Sequence, residues 1–305
     1  MEHFEVIDSV CTYCGVGCDI AANVKDNKIH SIFAHPEGVV SEGNLCVKGK
    51  YGYEFVDAPD RLRIPRIRKS FLAKNPAIQA QIASTLVDLD ETWAETTLDG
   101  ATTAAAMKLQ EIQSTYGRTS VCSIGGARTS CESSYLLQKF TRHTLNSPHV
   151  DNCARICHSP SLKGMRTTIG EGAATNPYND IYNAEFMIVF GSNTTEAHPI
   201  ISNRIVDVAG KHDNLAVFDV REITLHRFAK YKGIIPHESN LLVLNMMAYV
   251  IITEELYNEH FLADRTKGFE AFKEKILNDP YANPEYFKQI EGYEYLSKLI
   301  PKVAR

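Results

Sequence analysis

The chain has 305 residues, enough for about two domains, and its 44% hydrophobic and 23% charged residues are ordinary for a globular protein. Its formal net charge of −5 creates no global field that would recruit nucleic acid or an anionic membrane surface. No apolar run approaches the roughly 18 residues that a membrane span needs, and the N-terminus shows no signal peptide. We therefore expect a cytoplasmic protein, or a periplasmic one if an export leader is missing from this chain.

Residues 1–56 are rich in glycine and cysteine and contain two short alternating runs, Asp19–Val24 and Lys28–Phe33, on either side of a turn at 26–27. This pattern predicts a small β-rich domain. The segment Asp57–Lys74 has two prolines and many arginines, and it is interpreted as a connector.

From about Thr92 the chain alternates strand-like and helix-like segments, which predicts an α/β fold with a parallel sheet and helices on both faces. After about Asn278 the chain is aromatic, charged and loop-like, and it stops at Arg305 inside what looks like a helix. The predicted helices are Asp99–Tyr116, Glu132–Leu145, about Pro199–Lys211 and Ser239–Ile252, the last with Ser239 as its cap, and the predicted strands are Ser120–Ile124, Glu185–Phe190 and Leu215–Val220.

The eight cysteines are better explained as metal ligands or free thiols than as a disulfide framework, because no export signal is visible. Four of them follow the spacing C-x2-C-x3-C-x27-C, namely Cys11, Cys14, Cys18 and Cys46. Four thiolates suit either tetrahedral zinc or an iron–sulfur cluster. Zinc sites usually combine two short C-x-x-C hooks, so the three-plus-one spacing favours a [4Fe-4S] cluster.

Three separate motifs carry a family resemblance. The stretches C-T-Y-C-G-V-G-C, E-G-N-L-C-V-K-G-K-Y-G and D-R-L-R-I-P resemble the start of molybdopterin-dependent oxidoreductases. Within that family, C-A-R-I-C-H-S-P-S is similar to the active-site segment of formate dehydrogenase catalytic subunits. The resemblance runs from about Cys11 to about Phe272 and implies a [4Fe-4S] cluster together with molybdenum or tungsten held by two molybdopterin guanine dinucleotides.

The resemblance also implies roles for three reactive side chains. Cys157 would bind the molybdenum or tungsten through sulfur, His158 would orient formate or accept a proton, and Lys48 would lie between the cluster and the pterin. The reaction implied is two-electron oxidation of formate to carbon dioxide, with electrons passing to the cluster and on to a partner subunit. A lone Cys-His pair is otherwise more often an inert thiol beside a surface histidine.

Several loop residues match dinucleotide contacts of the family. The loop G-S-N-T-T-E-A-H-P lies between a predicted strand and a predicted helix, where doubly wound sheets bind nucleotides. A nicotinamide-binding unit is the rival explanation, but it expects G-x-G-x-x-G, which does not occur. The cofactor-binding candidates are Arg128, Gly191, Asn193, Glu196, Asp219, Arg221, Ser239 and Asn240, with Glu196 standing where many relatives carry aspartate.

The resemblance predicts three domains: a cluster domain at 1–62, a partial α/β domain at 63–150, and a dinucleotide-binding α/β domain at 151–305 that carries Cys157 and is incomplete at its C-terminus. Family subunits are much longer, so we expect the isolated chain to be inactive and poorly soluble. Two alternatives stay open: another member of the family, such as an assimilatory nitrate reductase, and an inactive truncated fragment.

Overall fold

A computed structural model describes residues 3–305. The strands are β1 (Glu5–Val10), β2 (Asp19–Lys25), β3 (Lys28–Ala34), β4 (Arg66–Arg68), β5 (Val87–Asp88), β6 (Trp93–Glu95), β7 (Ser123–Gly125), β8 (Val150–Asn152), β9 (Met187–Phe190), β10 (Leu215–Asp219) and β11 (Tyr231–Ile234). The α-helices are α1 (Val47–Tyr51), α2 (Lys69–Lys74), α3 (Pro76–Ile82), α4 (Leu98–Tyr116), α5 (Cys131–Lys139), α6 (Ala154–Cys157), α7 (Ser159–Thr168), α8 (Thr194–Ala197), α9 (Pro199–His212), α10 (Asn240–Thr253), α11 (Glu259–Arg265), α12 (Phe269–Leu277) and α13 (Leu296–Ala304). This mixture confirms the predicted α/β class.

The chain divides into two compact units. One unit contains the residues up to Tyr53 together with Asn176–Arg305, and the other contains Glu54–Thr175. The first unit therefore combines the N-terminal cysteines with the second half of the chain. The three-domain division at 62 and 150 stays a prediction.

An antiparallel sheet of order β1-β2-β3 opens the first unit. The β2–β3 hairpin has the two-residue turn expected from the sequence, and both turn residues, Asp26 and Asn27, have positive φ angles of 51° and 58°. Aspartate and asparagine tolerate this left-handed conformation better than most residues, and two such residues match the right-handed twist of a hairpin. The sheet places the first three cysteines in the loop between β1 and β2.

A parallel sheet of order β11-β10-β9 forms the centre of the rest of the first unit. β10 is buried along its whole length, as expected for a central parallel strand. Its alternate residues face two different cores: Ala216 and Phe218 pack against α10 and α13, while Leu215 and Val217 pack against α9. The prediction of helices on both faces is therefore confirmed for this sheet.

The second unit contains an antiparallel sheet of order β4-β6-β5 and a parallel pair, β7-β8. The predicted connector Asp57–Lys74 was wrong at its C-terminal end, because Arg66–Arg68 pairs with β6 and Lys69–Lys74 is helical. The pairing is long-range, so the arginines and prolines of the segment could not indicate it.

Element ends differ from the predictions by a few residues. The helix expected from Asp99 begins at Leu98, because the Thr97 hydroxyl accepts from the Gly100 N–H and caps it. The helix expected at Glu132–Leu145 changes to a π-helix over Phe140–Thr144. The prediction that Ser239 caps α10 was right in position but wrong in contact, since its hydroxyl donates to the Pro236 carbonyl instead. The aromatic segment after Asn278 ends in the helix α13, which confirms the expectation that the chain stops within a helix.

Within residues 3–305, no helix combines the length and the apolar character needed to cross a membrane.

Candidate functional site

The four N-terminal cysteines lie together in the first unit. The chain turns back so that the Cys11 N–H donates to the Cys18 carbonyl at 2.9 Å, with Gly17 in the left-handed region at φ 70°. Cys18 is 4% exposed, and with Val16 and Ile200 it forms a small core against which Cys11, Cys14 and Cys46 pack. Burial and the neighbouring thiols of Cys11, Cys14 and Cys46 raise the pKa of Cys18 to about 11. The predicted quartet is thus brought to one place.

The chemistry of this donor set fits an iron–sulfur cluster. Among residues 3–305, no three or more His, Cys, Asp or Glu side chains are arranged to hold a single metal ion. A [4Fe-4S] cube binds each cysteine sulfur at a different iron, so it needs a wider quartet than one zinc ion does. Metal ligation requires thiolates and releases their protons. A bound cluster would therefore favour the thiolate of Cys18, against the effect of burial.

The short helix α1 lies directly against the cysteine loop. A side-chain carbon added at Gly49 would lie 2.5 Å from Leu45 Cδ1 and 3.3 Å from Cys11 Sγ, and one added at Gly52 would overlap the Tyr13 ring. The Tyr13 hydroxyl also donates to the Gly52 carbonyl at 2.6 Å. Gly49 therefore allows α1 to approach the Cys11 sulfur closely, and Gly52 allows the chain to approach the Tyr13 ring.

Lys48 joins the quartet region to the predicted dinucleotide loop. It follows the predicted ligand Cys46 by two residues, and its ammonium Nζ donates to the Glu196 backbone carbonyl at 2.5 Å. Lys48 as a whole is exposed. Glu196 is thus joined to Lys48 through its main chain, and its own carboxylate is exposed.

The loop after β9 has the conformation that a nucleotide-binding turn needs. Gly191 has a φ of 55°, which favours glycine, and its N–H donates to the Phe218 carbonyl at 2.8 Å. Asn193 precedes α8, and its side-chain oxygen accepts from the Thr195 hydroxyl at 3.0 Å.

The other predicted contacts in this unit follow the neighbouring strands. Asp219 ends β10, is 8% exposed, and accepts the Arg221 backbone N–H through Oδ1 at 3.4 Å. Ser239 and Asn240 follow β11, and Asn240 Nδ2 lies 3.5 Å from the position that a side-chain carbon at Gly191 would occupy. Because β9, β10 and β11 are parallel neighbours, all these residues lie at the carboxyl edge of one sheet, where α/β proteins bind ligands.

Cys157 and His158 belong to the second unit, at the junction between two short helices. Cys157 is the last residue of α6, and the His158 N–H donates to the Ala154 carbonyl at 3.1 Å before α7 begins. Both side chains are exposed. Cys153 is exposed as well, and its thiol lies 3.6 Å from Asn152 Oδ1.

The loop that carries Arg128 is adjacent to the segment leading to Cys157. The Cys153 N–H donates to the Gly125 carbonyl at 3.1 Å, and Asn152 Nδ2 donates to the Gly126 carbonyl at 3.2 Å. A cavity of about 520 Å³ opens at the carboxyl ends of β7 and β8 and is lined by Gly126, Asp151 and Asn152, among others. Arg128 itself, within this loop, is exposed.

Sequence reasoning missed two residues that shape the quartet region. Gly49 was not singled out, although a glycine inside a helix-forming stretch is a signal for a close approach. Arg204 was not singled out either, because on α9 it resembles an ordinary surface charge, yet it is 2% exposed.

Comparison with known proteins decides the family. The model of the molybdopterin oxidoreductase Fe4S4 domain matches residues 4–58, and the molybdopterin oxidoreductase model matches residues 61–278. The chain belongs to the molybdopterin oxidoreductase family. The two domain matches bring a [4Fe-4S] cluster and a molybdenum or tungsten molybdopterin cofactor. That the quartet holds the cluster stays a prediction.

Several curated relatives are named as formate dehydrogenases. The chain is 35% identical over 292 residues to "F420-dependent formate dehydrogenase subunit alpha" of Methanocaldococcus jannaschii, covering 95% of this chain and 39% of that protein. It is 34% identical over 286 residues to "Formate dehydrogenase H" of Escherichia coli, covering 93% of this chain and 36% of that protein. The chain thus spans less than two fifths of the length of these relatives.

Among solved structures, the chain is similar to acetylene hydratase from Pelobacter acetylenicus. The TM-score is 0.70 at 21% identity, with 97% of this chain and 38% of that chain covered. At this identity the similarity shows a shared fold alone and not the reaction.

Proposed function

We propose that this molybdopterin oxidoreductase chain is part of a formate dehydrogenase catalytic subunit that oxidises formate to carbon dioxide. The observation that carries the proposal is the contact between Lys48 and the Glu196 carbonyl, which joins the cysteine quartet to the dinucleotide loop inside one unit. An electron path between a pterin and a [4Fe-4S] cluster needs such a close connection. The choice of formate rests on the C-A-R-I-C-H-S-P-S segment and on the names of the curated relatives.

The dinucleotide would be held at the carboxyl edge of β9, β10 and β11. The backbone at Gly191 can approach a phosphate closely, and the Asp219 carboxylate can accept two N–H groups of a guanine edge. Arg221, Asn193, Ser239 and Asn240 would supply further polar contacts. Arg128 is proposed separately as a phosphate contact.

Cys157 and His158 would form the reactive pair. The soft thiolate of Cys157 is suited to molybdenum or tungsten, and His158 would orient formate and take up a proton on its imidazole. When bound, the metal–pterin centre supplies the two-electron acceptor for formate. Lys48 then provides a fixed positive charge between the pterin side and the quartet.

The direct test uses the protein as it occurs in its own cells, purified anaerobically through a tag on the chromosomal gene. We expect formate-dependent dye reduction, and molybdenum or tungsten together with about four irons per chain. A matched Cys157→Ser variant should lose the activity and keep the iron. Nitrate reduction without formate oxidation would contradict the proposal in favour of a nitrate reductase. Iron without molybdenum or tungsten, and no activity, would contradict it in favour of an inactive fragment.

A further inference from the structure

Arg204 of α9 is the most deeply buried charged side chain near the cysteine quartet. It is 2% exposed, although arginine is rarely buried without partners. It lies one helical turn after Ile200, which packs with Val16 and Cys18 in the small core of the quartet. The buried guanidinium is therefore close to the cluster site in the structure, and neither the expected ligands nor the dinucleotide contacts account for it.

The Arg204 guanidinium makes hydrogen bonds to two parts of the first unit that are far apart in sequence. In the C-terminal part of the chain, Nε donates to Asn179 Oδ1 at 3.2 Å and Nη1 donates to the Ile200 carbonyl at 3.4 Å. In the N-terminal part of the first unit, Nη2 donates to the Val40 carbonyl at 2.8 Å and pairs with the Glu42 carboxylate at 3.2 Å. A planar guanidinium can serve several acceptors at once, which a lysine ammonium cannot do in the same geometry.

Glu42 is held from a second direction. The Tyr182 hydroxyl donates to its Oε2 at 3.1 Å, and the Tyr182 ring lies 6.0 Å from the guanidinium carbon. Burial and the Glu42 carboxylate raise the pKa of Tyr182, so the hydroxyl remains a donor. Glu42 itself has a φ of 50°, a conformation that glutamate seldom adopts, and the contacts of its side chain stabilise it there.

The segment so fixed leads directly to a cluster ligand. Asn44 closes the chain onto Ser41 and Glu42 by donating to both of their carbonyls, at 3.2 and 3.0 Å. Cys46 follows, and its carbonyl accepts the Lys50 N–H at the start of α1. Because this tight turn connects Glu42 to Cys46, a shift of Val40 and Glu42 would also shift Cys46 and Lys48.

We infer that Arg204, with Glu42 and Tyr182, is a positioning residue that holds the segment bearing Cys46 and Lys48 against α9 and so fixes the cluster beside the dinucleotide loop. Because the guanidinium is neutralised by Glu42, its effect is exerted mainly through geometry and not through net charge. The inference depends on the family's cluster and is independent of the substrate.

The test uses the anaerobically purified, cluster-containing protein in four forms: wild type, Arg204→Met, Arg204→Lys and Tyr182→Phe. The matched control is Lys211→Met, which removes an exposed ion pair with Asp207 on the same helix. The two readouts are the rate of iron release to a chelator and the electron paramagnetic resonance spectrum of the reduced cluster. Thermal unfolding is recorded for every form.

We expect Arg204→Met to release iron about tenfold faster and to change the spectrum of the cluster in protein that is still folded. Arg204→Lys should recover only part of the difference, Tyr182→Phe should show a smaller change in the same direction, and Lys211→Met should match wild type. An unchanged spectrum and iron release in Arg204→Met would overturn the inference. A lower unfolding temperature with an unchanged spectrum would also overturn it, because that result describes a purely structural arginine.

Discussion

The two sulfur sites of the chain are built in different ways. The quartet of the first unit is packed by its own surroundings: Cys18 is 4% exposed, and Gly49 brings α1 against Cys11. Cys157 is exposed and ends a helix of four residues in the second unit. We therefore expect the proposed cluster site to keep its geometry through local packing, and the position of Cys157 to depend on the metal proposed there. The following predictions test that difference.

The largest effect is expected from removing a quartet ligand. Cys46→Ser should abolish stable binding of the [4Fe-4S] cluster, because one iron loses its thiolate. Cys157→Ser, as the matched variant at the other sulfur site, should retain the cluster. Iron and sulfide analysis of the anaerobically purified proteins measures both. Equal loss of iron in the two variants would contradict the separation of the sites.

Gly49→Ala should weaken the quartet by crowding. The added methyl would meet Leu45 Cδ1 at 2.5 Å and Cys11 Sγ at 3.3 Å, and overpacking of this kind costs about 1–3 kcal/mol. The higher helix propensity of alanine offsets ~1 kcal/mol of that cost. Gly15→Ala is the control within the cysteine loop, since no atom lies within 4 Å of its added carbon.

The readouts for the glycine pair are the denaturation midpoint and the rate of iron release. Gly49→Ala should release iron faster than Gly15→Ala. If the two variants behave alike, the close approach of α1 to Cys11 is not important for the cluster.

Lys48→Met should loosen the dinucleotide loop with little loss of stability. The lost bond to the Glu196 carbonyl involves an exposed side chain, so the free energy of unfolding should change by less than about 1 kcal/mol. Amide hydrogen exchange in the segment 191–198 should become faster. The control is Lys50→Met, two residues away, whose ammonium lies over the Tyr51 ring. Identical exchange in both variants would show that Lys48 does not hold the loop.

The physical reasons for success and failure of the sequence predictions differ by region. The buried strands around Leu215–Asp219, the turn at Asp26 and the close quartet could be predicted, because apolar runs, turn residues and cysteine spacing are local signals. The burial of Arg204 could not, since its partner Val40 lies 164 residues away in sequence. The prediction that the Ser239 side chain caps α10 was wrong for a local reason, because its hydroxyl donates to the Pro236 carbonyl. The individual roles of the cofactor-binding candidates stay predictions.

The smallest effect is expected from a substitution near Cys157, at the exposed ion pair between Asp151 and Arg155. The Asn152 N–H, followed by Arg155, keeps the pKa of Asp151 below its usual value. A lowered pKa means that this contribution to stability is present above the ordinary range of aspartate and is lost as the pH falls through the folded-state pKa. Arg155→Met should therefore leave the pKa of Asp151 still below its ordinary value, because the Asn152 N–H remains. An NMR titration of Asp151 in both proteins measures this, and a return to the ordinary value would show that Arg155 is the main cause.

The measurement that tests the account most directly is X-ray absorption at the iron edge and at the molybdenum or tungsten edge of the natively purified protein, repeated with Cys46→Ser and Cys157→Ser. We expect iron in an all-sulfur cluster that is lost only with Cys46, and a molybdenum or tungsten spectrum whose sulfur ligation changes only with Cys157. Iron signals that survive Cys46→Ser unchanged, or a heavy-metal spectrum insensitive to Cys157→Ser, would contradict the assignment of the two sulfur sites.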